Sequence, residues 1–265
     1  MTYEFISIAC RDRVTTITLN RPQVMNSINR AMHFELQRAF DAFAADAQQW
    51  ICVVTGAGER AFCAGSDLKD AMHTLADNDA AGHYPPNGYA GLIERYDLAK
   101  PIIAAVNGLA LGGGLEVVLA CDLVIATDNA VLGLPEPLVG AVALGSGLHR
   151  LPRQIGMRAA MGMILTGRQV KAQEALALGL VNEVVPQTEL TAAVERWVKA
   201  ILACSPVAIR ASKQTVYRGL DEPSLADAMR NQAQYPEFAA WEKAEDTVEG
   251  VTAFVEKRRP QWQGR

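Results

Sequence analysis

Two glutamates of this sequence stand in surroundings that suit acid–base chemistry. Glu116 follows three consecutive glycines and belongs to the apolar segment Leu115–Ala120. A carboxylate in such a run is expected to be buried, and a buried carboxylate needs a partner or a function. Glu136 stands between Pro135 and Pro137, which restrict the backbone on both sides. Two carboxylates that face one water molecule can divide the roles of acid and base, because repulsion between like charges makes them share one proton.

The glycines before Glu116 could supply a second component of such a site. If a helix begins at Gly113, its first N–H groups lack intrahelical acceptors and favour negative charge. Glu116 then lies one turn further along the same helix face. A single turn could present an anion-stabilising N–H group and a carboxylate to one cavity. The simpler interpretations are a glycine-rich helix packed on a sheet, with Glu116 at the surface, and a stiff loop that carries a solvated Glu136.

The segment from residue 55 to residue 69 contains another candidate anion site. Its residues Gly56, Gly58 and Ala61 mimic a dinucleotide-binding motif, but that motif requires a helix to open at the glycines. Apolar residues follow instead, and Ser66 or Asp67 is a better helix cap. We therefore expect the backbone N–H groups near Ser66 to form an anion site at a helix N-terminus, with a plain capped helix as the alternative.

Short β-prone runs alternate with helical segments over residues 1–195. The predicted strands are Glu4–Cys10, Val14–Leu19, Ile51–Thr55, Ile102–Val106, Leu123–Ala126, Ala130–Gly133 and Val184–Val185. Asn29 is expected to cap a helix that runs to about Asp46, and residues 77–90 are polar and rich in breakers, which is typical of a loop. Residues from 190 onward favour helix almost throughout. The pattern predicts an α/β core over residues 1–195 and a helical region over residues 196–265.

Composition limits the classes of function. Half of the 265 residues are hydrophobic, 20% are charged and the formal net charge is -4. This excludes general disorder and argues against a nucleic-acid binder, which needs a basic surface. The five cysteines form no C-x-x-C pair, so neither a disulfide framework nor a metal cluster is indicated. Without a signal-peptide pattern or an apolar run of membrane-spanning length, we expect a soluble, cytoplasmic protein that does not bind membranes.

Several segments, taken in order, resemble the motifs of the enoyl-CoA hydratase/isomerase (crotonase) family. They are residues 20–22, 61–69, 101–108, 112–116, 134–136, 245–250 and 253–258. The resemblance spans essentially the whole chain, and the 20 positions between Glu116 and Glu136 match the family's spacing. Within the family, the chain is similar to the crotonobetainyl-CoA hydratase branch.

The resemblance implies a crotonase-like spiral of ββα units, with a helical C-terminal region that builds a homotrimer, often paired into a hexamer. It also implies an acyl-CoA thioester as substrate. The thioester oxygen would lie between the backbone N–H groups of Ser66 and Gly113, an arrangement called an oxyanion hole. The family usually has alanine where this chain has Ser66, so the serine adds a hydroxyl beside the thioester. No separate cofactor and no metal are implied, because coenzyme A is part of the substrate.

The resemblance further implies a set of residues that contact the substrate or its CoA portion. They are Val24, Ser27, Ala64, Asp67, Leu68, Pro135, Phe254 and Lys257. Val24 and Ser27 would line the CoA path, and the amides of Ala64 and Leu68 would lie near the adenine. Phe254 and Lys257, three positions apart on one helix face, would reach the CoA of a neighbouring subunit.

The implied reaction is the addition of water across the 2,3 double bond of an enoyl-CoA. Glu136 would deliver a proton to C2, and Glu116 would activate the water that attacks C3. The oxyanion N–H groups would stabilise the enolate charge, and one such donor is worth roughly 3–4 kcal/mol. The presence of both glutamates favours hydration over isomerisation, because isomerases of the family often keep only the equivalent of Glu136.

The sequence is compatible with other functions. An isomerase, or a dehydratase acting on an unusual acyl group such as crotonobetaine, would use the same fold. A binding protein with a decayed site would lack a glutamate or have a blocked oxyanion turn. A nicotinamide-dependent enzyme would bind through Gly56 and Gly58. The acyl group is not readable from the sequence, although Tyr84, Tyr89 and Trp241 could contact a cationic one.

Overall fold

The computed structural model describes residues 2–70 and 84–265, so that residues 77–83 of the predicted loop lie outside the described part. The chain divides into two compact units. The first contains residues 1–96 and 102–195, and the second contains residues 97–101 and 196–265. All the strands named below belong to the first unit.

The first unit is built on two sheets. The strands are β1 (Ile6–Arg11), β2 (Val14–Leu19), β3 (Ile51–Gly56), β4 (Ala61–Cys63), β5 (Ile102–Val106), β6 (Leu109–Leu111), β7 (Leu123–Thr127), β8 (Val131–Gly133), β9 (Gln169–Lys171) and β10 (Glu183–Val185). The six-stranded sheet has the order β1-β2-β3-β5-β7-β10, and the four-stranded sheet has the order β4-β6-β8-β9. Among the strand pairs of the described residues, only the β1–β2 hairpin and the β8–β9 pair are antiparallel.

From β3 to β8, successive strands alternate between the two sheets. The chain passes from β3 in the larger sheet to β4 in the smaller one, and the pairs β5–β6 and β7–β8 repeat this step. A helix follows β6, which completes a ββα unit. The fold is therefore α/β with the spiral of ββα units that the resemblance implied. Strands β4, β6 and β9 were not predicted, because three residues are too few to show an alternating pattern.

The helices begin and end at the following residues. They are α1 (Arg30–Ala45), α2 (Gly113–Leu119), α3 (Gly147–Ile155), α4 (Met157–Thr166), α5 (Ala172–Ala177), α6 (Leu190–Leu202), α7 (Pro206–Asp221), α8 (Leu225–Asn231), α9 (Pro236–Trp241) and α10 (Glu245–Val255). Helices α7 to α10 lie in the second unit, which confirms the helical C-terminal region. Within the described residues, no helix is long and apolar enough to cross a membrane.

The core follows from the apolar pattern of the sequence. Helix α1 is capped as predicted, since the side chain of Asn29 accepts a hydrogen bond from the Met32 amide. Its inward face buries side chains at helical spacing: Met32, Leu36, Ala39, Phe40 and Phe43. The parallel strand β5 consists of five buried residues, as expected of a strand covered on both faces.

One buried asparagine holds the connection between β3 and β4. The side-chain amide of Asn107 donates to the carbonyl oxygens of Gly56, Gly58 and Ala61, and its oxygen accepts from the Gly56 N–H. The chain thus turns from β3 into β4, and no helix opens at the two glycines. The dinucleotide-binding alternative is therefore wrong, because its motif requires a helix at that point.

Candidate active site

The smaller sheet brings three of the predicted site residues to one edge. Strands β4, β6 and β8 run parallel, with Ala61 opposite Leu109 and Leu111 opposite Gly133. Ser66, Gly113 and Glu136 each follow one of these strands within three residues. Because the carboxyl ends of adjacent parallel strands lie at the same edge of a sheet, these three residues are neighbours in space.

The N–H group of Ser66 points away from the neighbouring segment, which contains Ile28. Ile28 forms an isolated parallel bridge with Ser66: the Ile28 amide donates to the Gly65 carbonyl at 2.8 Å, and the Asp67 amide donates to the Ile28 carbonyl at 2.9 Å. In this pattern the N–H of Ser66 itself points to the opposite side. The Ser66 N–H is thus not used in the bridge to Ile28.

Gly65 allows the two proposed oxyanion groups to approach each other. Its φ is +96°, and a Cβ atom there would lie 3.2 Å from the Gly113 nitrogen and 2.9 Å from the Leu111 carbonyl oxygen. Gly113 is the first residue of α2, so its N–H has no intrahelical acceptor. The N–H groups of Ser66 and Gly113 thus belong to segments in close contact, as an oxyanion hole requires.

Glu116 is a buried carboxyl whose position is held by main-chain groups. Its side chain is 3% exposed, and its Oε1 accepts a 2.9 Å hydrogen bond from the N–H of Gly147. Burial raises the pKa of Glu116 to about 7; the charge of Glu136 adds to the increase, and the bonds from Gly147 and Gly145 oppose it. A carboxyl with this pKa can hold or release a proton near neutral pH.

Glu136 is half-buried beside the glycine turn. It is the first residue of a 3₁₀ turn, Glu136–Val139, which Pro135 precedes. A Cβ atom on Gly112 would lie 3.0 Å from its Oε1. Its Oε2 is buried and has no hydrogen-bond partner among the described residues, and burial raises the pKa of this carboxyl too.

The two glutamates are thus brought together by the turn that also carries the Gly113 N–H. Glu116 belongs to the helix that starts at this turn, and Glu136 lies against Gly112 on its other side. Each simpler interpretation fails, because Glu116 is not at the surface and Glu136 is not freely solvated. The arrangement can hold one proton between two carboxyls beside a pair of anion-stabilising groups.

Aromatic side chains border the same edge. Tyr89 is 5% exposed, and its ring packs edge-on against His33 at 4.5 Å and lies 5.9 Å from Tyr84. The Ser66 hydroxyl donates a 3.3 Å hydrogen bond to the Tyr89 oxygen. The sequence predicts that both tyrosines are available to contact a ligand. It assigns no role to His33, although the position of His33 on the inward face of α1 could have indicated its burial. Trp241 lies in α9, in the second unit.

A groove of about 550 Å³ contains several residues of the predicted CoA path. It is lined by Arg21, Val24, Asn29, Asp67, Leu68, Lys69 and Asp70. Arg21 joins its two walls, since its guanidinium donates to the Ser27 carbonyl at 2.6 Å and pairs with the Asp67 carboxylate at 3.0 Å. Burial tends to raise the pKa of Asp67, but the hydrogen bond and charge of Arg21 outweigh it and lower that pKa.

Three other residues predicted to contact CoA differ in which of their atoms can contact a ligand. The Ser27 hydroxyl already donates to the Val24 carbonyl at 2.8 Å. The N–H of Ala64 donates to the Met25 carbonyl at 3.0 Å, which leaves the carbonyl oxygen as the part of the Ala64 amide that can contact a ligand. Leu68 is 65% exposed at the groove.

Phe254 and Lys257 do not share a helix face, which corrects one prediction. Helix α10 ends at Val255, and Lys257 follows it in a left-handed conformation with φ +54°. Phe254 is 85% exposed in the last turn of the helix. The sequence has no glycine or proline between these positions, so nothing in it marked the helix end.

Fold and site together define a crotonase-fold protein in which a buried and a half-buried carboxyl lie beside the glycine turn that begins α2. The sequence model of the enoyl-CoA hydratase/isomerase family matches residues 10–265, and the chain belongs to this family.

Individual relatives resemble the chain over almost its whole length. Carnitinyl-CoA dehydratases from Proteus mirabilis (strain HI4320) and Escherichia coli (strain K12) are each 39% identical; the alignments cover 98% of both chains for the first and 99% for the second. An enoyl-CoA hydratase structure from Mycobacterium marinum is 37% identical, with a TM-score of 0.89 over 98% of this chain and 99% of that one. One from Bacillus anthracis is 34% identical, with a TM-score of 0.88 over 99% and 100%.

Proposed function

We propose that the chain is an enoyl-CoA hydratase, a lyase that adds water across the 2,3 double bond of an enoyl-CoA thioester. The observation that carries the proposal is the meeting of Glu116 and Glu136 at the turn that presents the Gly113 N–H. Hydration of a conjugated thioester needs those components together: a base, an acid and donors for the oxygen that becomes negative.

The first requirement is stabilisation of the enolate. When water attacks C3, negative charge develops on the thioester oxygen. The N–H groups of Ser66 and Gly113 would receive that charge. Because the backbone already holds them in place, little reorganisation is needed during the reaction, and one such donor contributes roughly 3–4 kcal/mol.

The second requirement is transfer of two protons. Glu116, with a pKa of about 7, is ionised in a large fraction of molecules at neutral pH and would take a proton from the attacking water. The water oxygen then bonds to C3, and Glu136 in its protonated form would give its proton to C2. The carboxyls then exchange a proton through solvent, so that the pair again holds one proton for the next turnover. Because their charges interact, the two groups titrate as one unit.

Binding of the substrate would place CoA along the groove of Arg21 and Asp67, against Val24 and Leu68, which line it. The carbonyl oxygen of Ala64 would also contact the CoA. Coenzyme A is part of the substrate, and the reaction uses no separate cofactor. Exposed Phe254 and Lys257 support a homotrimer or hexamer in which they reach a neighbouring subunit's CoA. Sedimentation analysis of the purified protein tests this assembly, and a monomer would contradict it.

A second candidate is hydration or dehydration of an acyl-CoA that carries a quaternary ammonium group. It is favoured by the aromatic rings of Tyr84 and Tyr89 near the carboxylate of Glu116, since such a cation binds to ring faces and negative charge. The names of the carnitinyl-CoA dehydratases from Proteus mirabilis and Escherichia coli agree with this candidate.

The test is a hydration assay over short, long, branched and betaine-bearing enoyl-CoA thioesters. Glu116→Gln and Glu136→Gln should each lower kcat by about 10²–10⁴-fold while CoA-ester binding stays nearly intact. Glu59→Gln, at an exposed site, is the matched control and should keep full activity. Full turnover in either active-site variant would overturn the assignment, and binding without hydration of any thioester would point to an isomerase or a binding role.

A further inference from the structure

The phenol of Tyr89 touches both residues that present the proposed oxyanion N–H groups. A Cβ atom on Gly113 would overlap the Tyr89 oxygen and the ring carbon that carries it, so that oxygen is in van der Waals contact with the Gly113 Cα. On its other side, the same oxygen accepts the 3.3 Å hydrogen bond from the Ser66 hydroxyl. The Tyr89 oxygen therefore lies between the two segments that form the hole.

The hydroxyl proton of Tyr89 is available for a further acceptor. Since Ser66 is the donor in their bond, the phenol O–H is not used there. No hydrogen bond joins Tyr89 to Glu116 in the part of the chain that the structure describes. Burial, together with the nearby Cys63, raises the pKa of Tyr89 well above its ordinary value, although the Ser66 bond opposes this. The phenol thus stays protonated at neutral pH.

The ring is held firmly in this position. It is 5% exposed and packs against His33 and Tyr84. The main chain next to it is also fixed, because the Ala90 N–H donates a 2.8 Å hydrogen bond to Nδ1 of His33. A donor held this way does not have to be reoriented when charge develops.

We propose that the Tyr89 hydroxyl is a third donor to the thioester oxygen, beside the N–H groups of Ser66 and Gly113, and that the Ser66 hydroxyl orients it. The inference rests on the function proposed above. It assigns a catalytic role to a residue that is not one of the two glutamates, and it gives the serine side chain a role separate from that of its backbone N–H. Ser66 is in this respect a positioning residue.

The test uses a chromophoric substrate analogue, 4-(dimethylamino)cinnamoyl-CoA, with the full-length protein. Hydrogen bonds to its thioester oxygen shift its absorption to longer wavelength, and the shift needs no turnover. Tyr89→Phe keeps the ring and removes only the hydroxyl. We expect it to reduce the red shift and to lower kcat by about 10²-fold, with KM little changed.

Three further variants separate catalysis from packing. Ser66→Ala should reduce the shift less than Tyr89→Phe does, and the double variant should be no worse than Tyr89→Phe alone, because the serine acts through the phenol. Tyr96→Phe changes a tyrosine that is 77% exposed and should leave both the shift and kcat unchanged. If Tyr89→Phe fails to fold, Ser66→Ala still tests the proposal, since an unchanged shift and kcat would contradict it.

The outcomes distinguish this inference from the proposed function. A full red shift and full kcat in Tyr89→Phe would overturn the third donor and leave the hydratase assignment standing. A red shift that Tyr89→Phe weakens, without hydration of any enoyl-CoA by the wild type, would support the donor and overturn the hydratase. A wild-type protein that binds the analogue without any red shift would overturn the donor.

Discussion

The N–H of Gly147, the first residue of α3, donates a 2.9 Å hydrogen bond to Oε1 of Glu116, which lies 31 positions earlier in the chain. The carboxyl is thus held by the main chain of a later helix. Burial is the largest cause that raises its pKa to about 7, and an acid–base residue requires a pKa near physiological pH.

The raised pKa of Glu116 predicts how stability depends on pH. Below pH 4.5 the carboxyl is protonated in both the folded and the unfolded state. Between about pH 4.5 and pH 7 the unfolded chain loses this proton and the folded protein retains it, so the free energy of unfolding falls by roughly 3 kcal/mol. The free energy of unfolding of Glu116→Gln should not show this fall, whereas that of Glu59→Gln should show it. Urea unfolding at pH 5 and pH 8 checks this, and parallel losses in wild type and Glu116→Gln would refute it.

The same pKa predicts the pH dependence of hydration. The proposed mechanism needs the pair to hold one proton. Because the charge of Glu136 contributes to the pKa of about 7 at Glu116, the pair loses that last proton as the pH rises through about 7, and kcat should fall there. Stopped-flow assays from pH 5 to pH 9 measure this limb. A rate that is flat across pH 6–8 would show that hydration does not need the proton shared by Glu116 and Glu136.

Gly145 is expected to be required for the position of Glu116. A Cβ atom there would overlap Oε2 of Glu116, so Gly145→Ala should displace the carboxyl and lower kcat by about 10²-fold. Gly162→Ala, in the interior of α4, meets nothing within 4 Å and should leave kcat unchanged while adding up to about 1 kcal/mol of stability. Equal kcat values for the two variants would argue against this packing.

The Arg21–Asp67 pair is expected to matter for substrate affinity rather than for chemistry. Asp67→Asn removes the charge that joins the two walls of the groove, and KM for CoA thioesters should rise by about tenfold with kcat unchanged. Asp12→Asn breaks an ion pair whose side chains are 90% and 80% exposed and should change neither constant. A selective loss of kcat in Asp67→Asn would contradict the assignment.

Asn107 is expected to be essential for folding. Asn107→Leu would leave three carbonyl oxygens, two of them in buried bonds, and one buried N–H without this side-chain partner, at a cost of roughly 3 kcal/mol or more. Urea unfolding followed by circular dichroism measures the change. A loss below 1 kcal/mol would mean that water replaces these bonds readily.

The sequence predicted those parts of the fold that depend on local pattern. Strands β2 and β5 have the predicted bounds, and the Asn29 cap and the apolar spacing of α1 are as expected. The burial of Glu116 also followed from its neighbours. In each case a run of at least five residues carried the signal.

Other parts depend on contacts between distant segments. Strand β4 was missed because its three residues acquire their strand geometry only by pairing with β6. The contact of Tyr89 with Gly113 joins positions with no sequence pattern in common. The end of α10 before Lys257 was missed because that lysine adopts a positive φ, which non-glycine residues seldom do.

The alternation of strands between two sheets also orders events while the protein is being made. Ser66, Gly113 and Glu136 follow successive strands of the smaller sheet, so translation delivers the two proposed oxyanion N–H groups before the second carboxyl. Gly147, whose N–H holds Glu116, is delivered last. A nascent chain that folds from its N-terminus therefore completes the glycine turn first, and gains the Glu136 carboxyl and the main-chain support of Glu116 afterwards.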